Sequence, residues 1–152
     1  MKDISLHILD VAENSIRAEA KLVEIRIIVD AEKEIMTLEI KDDGHGMDPE
    51  MAERAVDPFF TTKDSRRVGL GLALLAQAAR ETEGSFDMSS RPGEGTRVLA
   101  EFRYKHPDSK PLGDISSSLQ TLVAGNPDVD FVFEQSNGDE TINFDTRQMR
   151  RS

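Results

Sequence analysis

The sequence predicts an α+β fold. Segments with a helical apolar period alternate with segments whose apolar residues recur at every second position. The strand-like segments come in neighbouring pairs joined by turns, the pattern of hairpins rather than of strands each separated by a helix. Size adds a third observation: 152 residues with 38% hydrophobic side chains supply one core, with room for an appendage but not for a second full domain.

Asp3 to Ala18 reads as a helix. At about 100° per residue, Ile4, Ile8, Leu9, Val11, Ala12, Ser15, Ile16 and Ala18 fall on one half of the wheel. His7, Asp10, Glu13, Asn14 and Arg17 fall on the other, which predicts a half-exposed His7. Lys21 to Asp30 alternates Val23, Ile25, Ile27 and Val29 on one face, and Glu34 to Lys41 alternates Met36, Leu38 and Ile40, so the two form a hairpin. Asp42-Asp43-Gly44-His45-Gly46-Met47 breaks the period, and Asp48-Pro49 then opens a short helix to about Val56. Asp57 to Gly69 has no apolar period and reads as a mobile loop carrying Lys63, Arg66 and Arg67. Leu70 to Glu83 is a strongly apolar helix with Gly84 as its expected C-cap, followed by strands Phe86 to Ser90 and Thr96 to Tyr104. Residues 105–112 form a polar linker with two prolines, which sets the main unit at 1–104 and a C-terminal extension at 113–152. That extension reads as a helix, Asp114 to Ala124, and a hairpin, Val129 to Glu134 and Thr141 to Phe144, through Ser136-Asn137-Gly138-Asp139. It is too small to be stable alone, so it is expected to dock on the main unit or on a partner.

Charge narrows the function. With 29 acidic against 19 basic residues the formal charge is -10, the wrong balance for a protein that tracks nucleic-acid phosphates. The absence of cysteine removes disulfides, thiol nucleophiles and thiolate metal sites. No apolar run approaches the roughly 20 residues of a membrane-spanning helix, and the N-terminus is no signal peptide, so a cytoplasmic location is expected.

Three segments hold side chains suited to chemistry. Asp10 and Asn14 lie one helical turn apart, so a carboxylate and a neutral amide share a face. Such a pair suits a base beside a magnesium ion held mainly by nucleotide phosphates, with Arg17 near enough to touch phosphate; the same spacing also serves a solvated helix face. Asp43-Gly44-His45-Gly46-Met47 follows a strand, where an Asp can accept from the exocyclic amine of adenine and glycines let backbone approach a flat base. A tight turn capped by Asp would need the same residues. Gly69-Leu70-Gly71-Leu72 opens a helix whose amides can face phosphate, although two glycines there also simply permit close packing. His7, His45 and His106 have no metal-binding spacing.

The order of these segments resembles the GHKL superfamily of ATP-binding domains, which includes gyrase B, MutL-type repair proteins, sensor histidine kinases and anti-sigma-factor serine kinases. Leu9-Asp10-Val11-Ala12-Glu13-Asn14-Ser15 resembles its N box, Asp42 to Met47 its G1 box, and Asp57-Pro58-Phe59-Phe60-Thr61-Thr62-Lys63 the F box of histidine kinases. Gly69-Leu70-Gly71-Leu72 is similar to the G2 box and Gly93-Glu94-Gly95-Thr96 to the terminal glycine–threonine element. Together they cover roughly Ile4 to Phe102. The resemblance implies a two-layer α/β sandwich, a mixed and mostly antiparallel sheet with helices on one face, that binds ATP with Mg2+.

It also implies roles. Asn14 ligates the magnesium, Arg17 touches phosphate, and Asp43 reads the adenine amine with support from Thr96. Gly44, Gly46 and Met47 line the base pocket. Phe60, Thr62, Lys63, Gly69, Leu70, Gly71 and Leu72 contribute to the phosphate lid and its surroundings. Asp10 stands where ATPase and serine-kinase members have a catalytic Glu, one methylene longer. The function expected is transfer of the γ-phosphoryl group to a protein partner in trans, with an ATP-sensing module or slow ATPase as the alternative. A homodimer is compatible with either. With only about nine residues ahead of Asp10, a self-phosphorylating receptor is not expected.

Overall fold

Burying every second residue of the strands on one side is what organises the molecule. The computed structural model describes residues 4–30, 32–56, 70–103, 115–136 and 140–149. Its elements are α1 (Ile4–Arg17), β1 (Leu22–Asp30), β2 (Ile35–Asp42), α2 (Pro49–Ala55), α3 (Leu70–Glu81), β3 (Ser85–Arg91), β4 (Gly95–Arg103), α4 (Ile115–Gly125), β5 (Asp130–Ser136), β6 (Thr141–Asp145) and α5 (Thr146–Met149). The strands form a single sheet in the order β3-β4-β2-β1-β5-β6. β1 and β5 run parallel, and the other neighbouring pairs are antiparallel.

The register puts Ile25 beside Ile40 and Phe133, and Ile40 beside Val98, so the apolar positions of four strands align across the sheet. Val23, Ile27, Leu38, Ala100, Phe102 and Phe131 complete that buried face. Ile8, Val11 and Ala12 of α1, Leu75 and Ala79 of α3, and Ile115 and Leu119 of α4 close it. The other face is charged and laced by ion pairs: Arg26 Nε with Glu134 at 2.8 Å and Arg97 Nε with Glu39 at 2.6 Å. This is the expected two-layer sandwich with a mixed, mostly antiparallel sheet.

Two local features differ from the sequence reading. The residue in left-handed conformation after α3 is Glu83 (φ 62°), not Gly84. The amides of Glu83 and Gly84 return to the carbonyls of Arg80 and Ala79, a Schellman closure that needs positive φ one residue earlier than the glycine. α1 closes the same way through Glu19. His7 is buried, 5% exposed, because α1 packs against both α3 and α4 and buries more of its circumference than one apolar stripe. The residues after position 114 dock on the main unit, one of the two expected outcomes, by extending its sheet: the whole of β5 pairs with β1. The chain then turns into α5, where the buried Thr146 hydroxyl accepts from the Phe131 amide at 2.8 Å. The linker 105–112 lies outside the described residues.

Candidate functional site

The ends of β2 and β4 meet the C-terminal half of α1, and a cavity of about 230 Å3 opens between them. Val11, Ile40, Met47, Leu72 and Val98 make its walls apolar, while Asn14, Arg17, Asp42 and Thr96 bring polar atoms to it. A mostly apolar slot with a few convergent polar groups is the form of a small-ligand site. Met51 and Ala55 of α2 add a rim. Asp48 fixes that helix's start by accepting from the Met51 amide at 2.8 Å.

The register decides which acidic residue faces the cavity. Asp42 pairs with Thr96 across β2 and β4, in phase with the buried pair Ile40–Val98, so its side chain points to the helix side. Ser15 Oγ donates to Asp42 Oδ2 at 2.5 Å, and the Gly44 amide donates to Oδ1 at 2.9 Å. Asp43, one residue on, faces the other way. Its Oδ1 accepts from the amides of Lys21 and Leu22 at 2.7 and 2.9 Å, tying the turn to the start of β1. The carboxylate at the cavity is therefore Asp42, and Asp43, expected to line it, points away to the start of β1. Period-2 alternation from Ile40 would have found it.

The loop after Asp42 is clamped from both sides. The Met47 amide donates to Ser90 Oγ at 2.8 Å, and Ser90 Oγ shares a hydrogen bond with Thr96 Oγ1, also 2.8 Å. The Gly93 amide donates to the His45 carbonyl at 2.5 Å. Gly46 has φ +72°, and a Cβ there would lie 1.9 Å from the Arg91 carbonyl oxygen, so only glycine passes. His45 is exposed and pairs through Nε2 with Glu19 at 2.5 Å. Ser15 and Ser90, which no motif singled out as ligands, thus orient Asp42 and Thr96, two of the polar groups that face the slot.

Asn14 lines the cavity as expected. Its Oδ1 accepts from Arg17 Nη1 at 3.1 Å, whereas Nδ2 is buried with no hydrogen-bond partner. A buried amide left unsatisfied among described residues is what a polar ligand would complete. Asp10 is exposed and does not line the slot. It stands beside Gly71 at the start of α3, where a Cβ would come 2.6 Å from that of Asp10, so the glycine lets the two helices touch. Phe60, Thr62, Lys63, Arg66, Arg67 and Gly69, as well as the side chain of Leu70, lie outside the described residues. No group of three or more His, Asp or Glu side chains converges among the described residues, and no described helix is long and apolar enough to cross a membrane.

Replacing Ser15 with alanine removes one of two donors to Asp42 without adding bulk. The expected result is a roughly fivefold loss of ADP affinity, about 1 kcal/mol, in titration calorimetry with an unchanged melting profile. Unaltered affinity would mean that the Gly44 amide alone holds the carboxylate.

Residues 2–106 match the family described as histidine kinase-, DNA gyrase B-, and HSP90-like ATPase. An NtrY-like sensor histidine kinase of Rickettsia prowazekii is 29% identical over 105 residues, covering 69% of this chain and 17% of that protein. The sensor protein kinase FleS of Pseudomonas aeruginosa is 38% identical over 89 residues, covering 59% of this chain and 22% of its own length. The chain thus spans about a fifth of these curated relatives. Among solved structures, the ATPase domain of Aquifex aeolicus MutL complexed with ADP has a TM-score of 0.56 at 18% identity, covering 94% of this chain and 63% of that one, a likeness of fold. The motif order, the sheet topology and the family match over 2–106 agree: the chain belongs to the histidine kinase-, DNA gyrase B-, and HSP90-like ATPase family and carries a kinase-like ATP-binding module.

Proposed function

We propose that the slot takes the adenine of Mg–ATP and that the chain passes the γ-phosphoryl group to a protein partner in trans. The observation that carries the reading is Asp42, a hydrogen-bonded carboxylate set in apolar walls. A carboxylate accepts from the amine of adenine, whereas guanine would present an oxygen there and be repelled. Thr96 adds a hydroxyl beside it.

The residues at the slot fit a magnesium ion and a triphosphate. Asn14, with its amide turned by half a rotation and Arg17 swung away toward phosphate, would offer Oδ1 to a magnesium ion. A single protein oxygen is enough where phosphates and water supply the other ligands. Arg17, at the slot's edge, neutralises phosphate charge. The magnesium-bound triphosphate supplies the electrophilic phosphorus and a leaving group already neutralised. Asp10, exposed one turn before Asn14, is open to a partner and accepts the proton from its attacking group. The expected phosphate lid falls on 57–69.

Asp10's exposure also favours a second reading, an ATP-sensing module with little turnover, since nothing among the described residues holds this shorter carboxylate against the slot. The test uses ATP labelled at the γ-phosphate, incubated with the protein and then with extract from the source cells. Trans-acting transfer gives a labelled partner band that falls at least 100-fold in the Asp10→Asn variant while ADP affinity stays within about twofold. Asn14→Ala should abolish the magnesium dependence of ATP affinity. Tight ATP binding with neither transfer nor phosphate release would leave the sensing module. Wild-type Mg–ATP affinity in Asn14→Ala would overturn the site.

A further inference from the structure

The sheet face turned away from the helices carries a cluster that nucleotide binding does not use. Lys41 and Arg97 stand directly opposite each other on β2 and β4, and Ser89 stands opposite Arg97 on β3. Arg91 follows two residues along the same strand. Lys41 stands opposite Glu24 on its other side, on β1, so its like-charge contact with Arg97, which destabilises an antiparallel pair, is partly offset. Arg97 is committed to Glu39 at 2.6 Å. Lys41 and Arg91 have no ion pair among the described residues.

These side chains, with Ser90, Glu94 and Thr96, line a shallow pocket of about 180 Å3. Asp42 and Thr96 form the wall between it and the slot on the helix side. The Asp42 carboxylate is held from the helix side by Ser15 and by the Gly44 amide, so its charge is already engaged.

We propose that this pocket binds a phosphate-type oxyanion, distinct from the nucleotide's own phosphates. Two uncommitted cations match a dianion: Lys41 as a point charge and Arg91 as a planar fork that suits tetrahedral oxygens. Ser89, two residues from Arg91 on β3 and across Arg97 from Lys41, supplies a hydroxyl donor. Glu94 on the rim opposes binding, which sets the affinity low and gives the proposal a sign. Removing a cation weakens binding, and removing the Glu94 charge strengthens it. A solvated charged face would show neither trend.

The experiment uses the full chain saturated with ADP, so that the slot is closed to the probe. ADP binding, measured first by calorimetry, reports the nucleotide reading separately; if ADP does not bind, the titration is run without it and stands by itself. Inorganic phosphate and, in a second arm, free phosphoserine are titrated while the backbone amides of Ser89, Ser90 and Arg97 are followed by NMR. Saturable shifts are expected, weakened about tenfold by Lys41→Ala or by Arg91→Ala and strengthened severalfold by Glu94→Gln. Response to both probes assigns the bare group, and response to phosphoserine alone assigns a phosphorylated side chain. Shifts that do not saturate with either probe, or variants that all follow the wild type, would overturn the proposal.

Discussion

Changing Asp42 to asparagine should cut ADP affinity roughly 10- to 150-fold, the worth of about 1.5–3 kcal/mol for a hydrogen bond to a charged acceptor. The same change at Asp43 should leave affinity within about twofold. The two residues are adjacent and chemically identical, so the contrast isolates orientation. Asp42 receives Ser15 Oγ and the Gly44 amide and lines the slot. Asp43 receives the amides of Lys21 and Leu22, and its loss should appear as a lower melting temperature. Asparagine at 42 also presents an NH2 that can face the adenine amine, so part of the loss is repulsion and not only a missing contact. Titration calorimetry with both variants decides the matter. Full affinity in Asp42→Asn together with loss in Asp43→Asn would reverse the assignment.

The Phe131→Ala variant should lose about 3–5 kcal/mol of stability, the usual cost of emptying a buried aromatic site. Phe131 is 1% exposed on β5, beside the fully buried Val23 of β1. Its ring belongs to the same core as α1 and β2, not to a separate C-terminal cluster. Against a total of roughly 5–15 kcal/mol for an ordinary domain, such a loss leaves a marginal fold. Urea unfolding followed at the sheet and at the nucleotide slot should show one coincident transition moving to lower denaturant. Ile142→Ala is the control: that side chain is 54% exposed on the edge strand, and its removal should cost no more than about 0.5 kcal/mol. A transition at the slot that ignores Phe131→Ala would mean that the C-terminal strands fold apart from the rest.

Local periodicity was enough to locate α1, the β1–β2 and β3–β4 hairpins and α3, because each is specified by residues two to four positions apart. The Asp48 cap and the following Pro49 marked α2 for the same reason: capping is chemistry between near neighbours. The ordered motifs Asp10 to Asn14, Asp42 to Met47, Gly69 to Leu72 and Gly93 to Thr96 identified the family, since each is a contiguous stretch.

What the sequence by itself determined, then, is the run of elements, the family and the stretches that meet at the slot. Tertiary structure alone decided the rest. That Asp42 stands beside Thr96 depended on the register of β2 against β4, although its inward phase continues the alternation of Leu38 and Ile40. The burial of His7 depended on two helices packing against α1, and the insertion of β5 beside β1 on a parallel pairing between segments about 108 residues apart. Such contacts leave no periodic trace in the chain, because their partners are far apart in sequence and are selected by the fit of the assembled core. The pairing of Lys41 with Arg97 is of the same kind, visible only once β2 and β4 lie side by side.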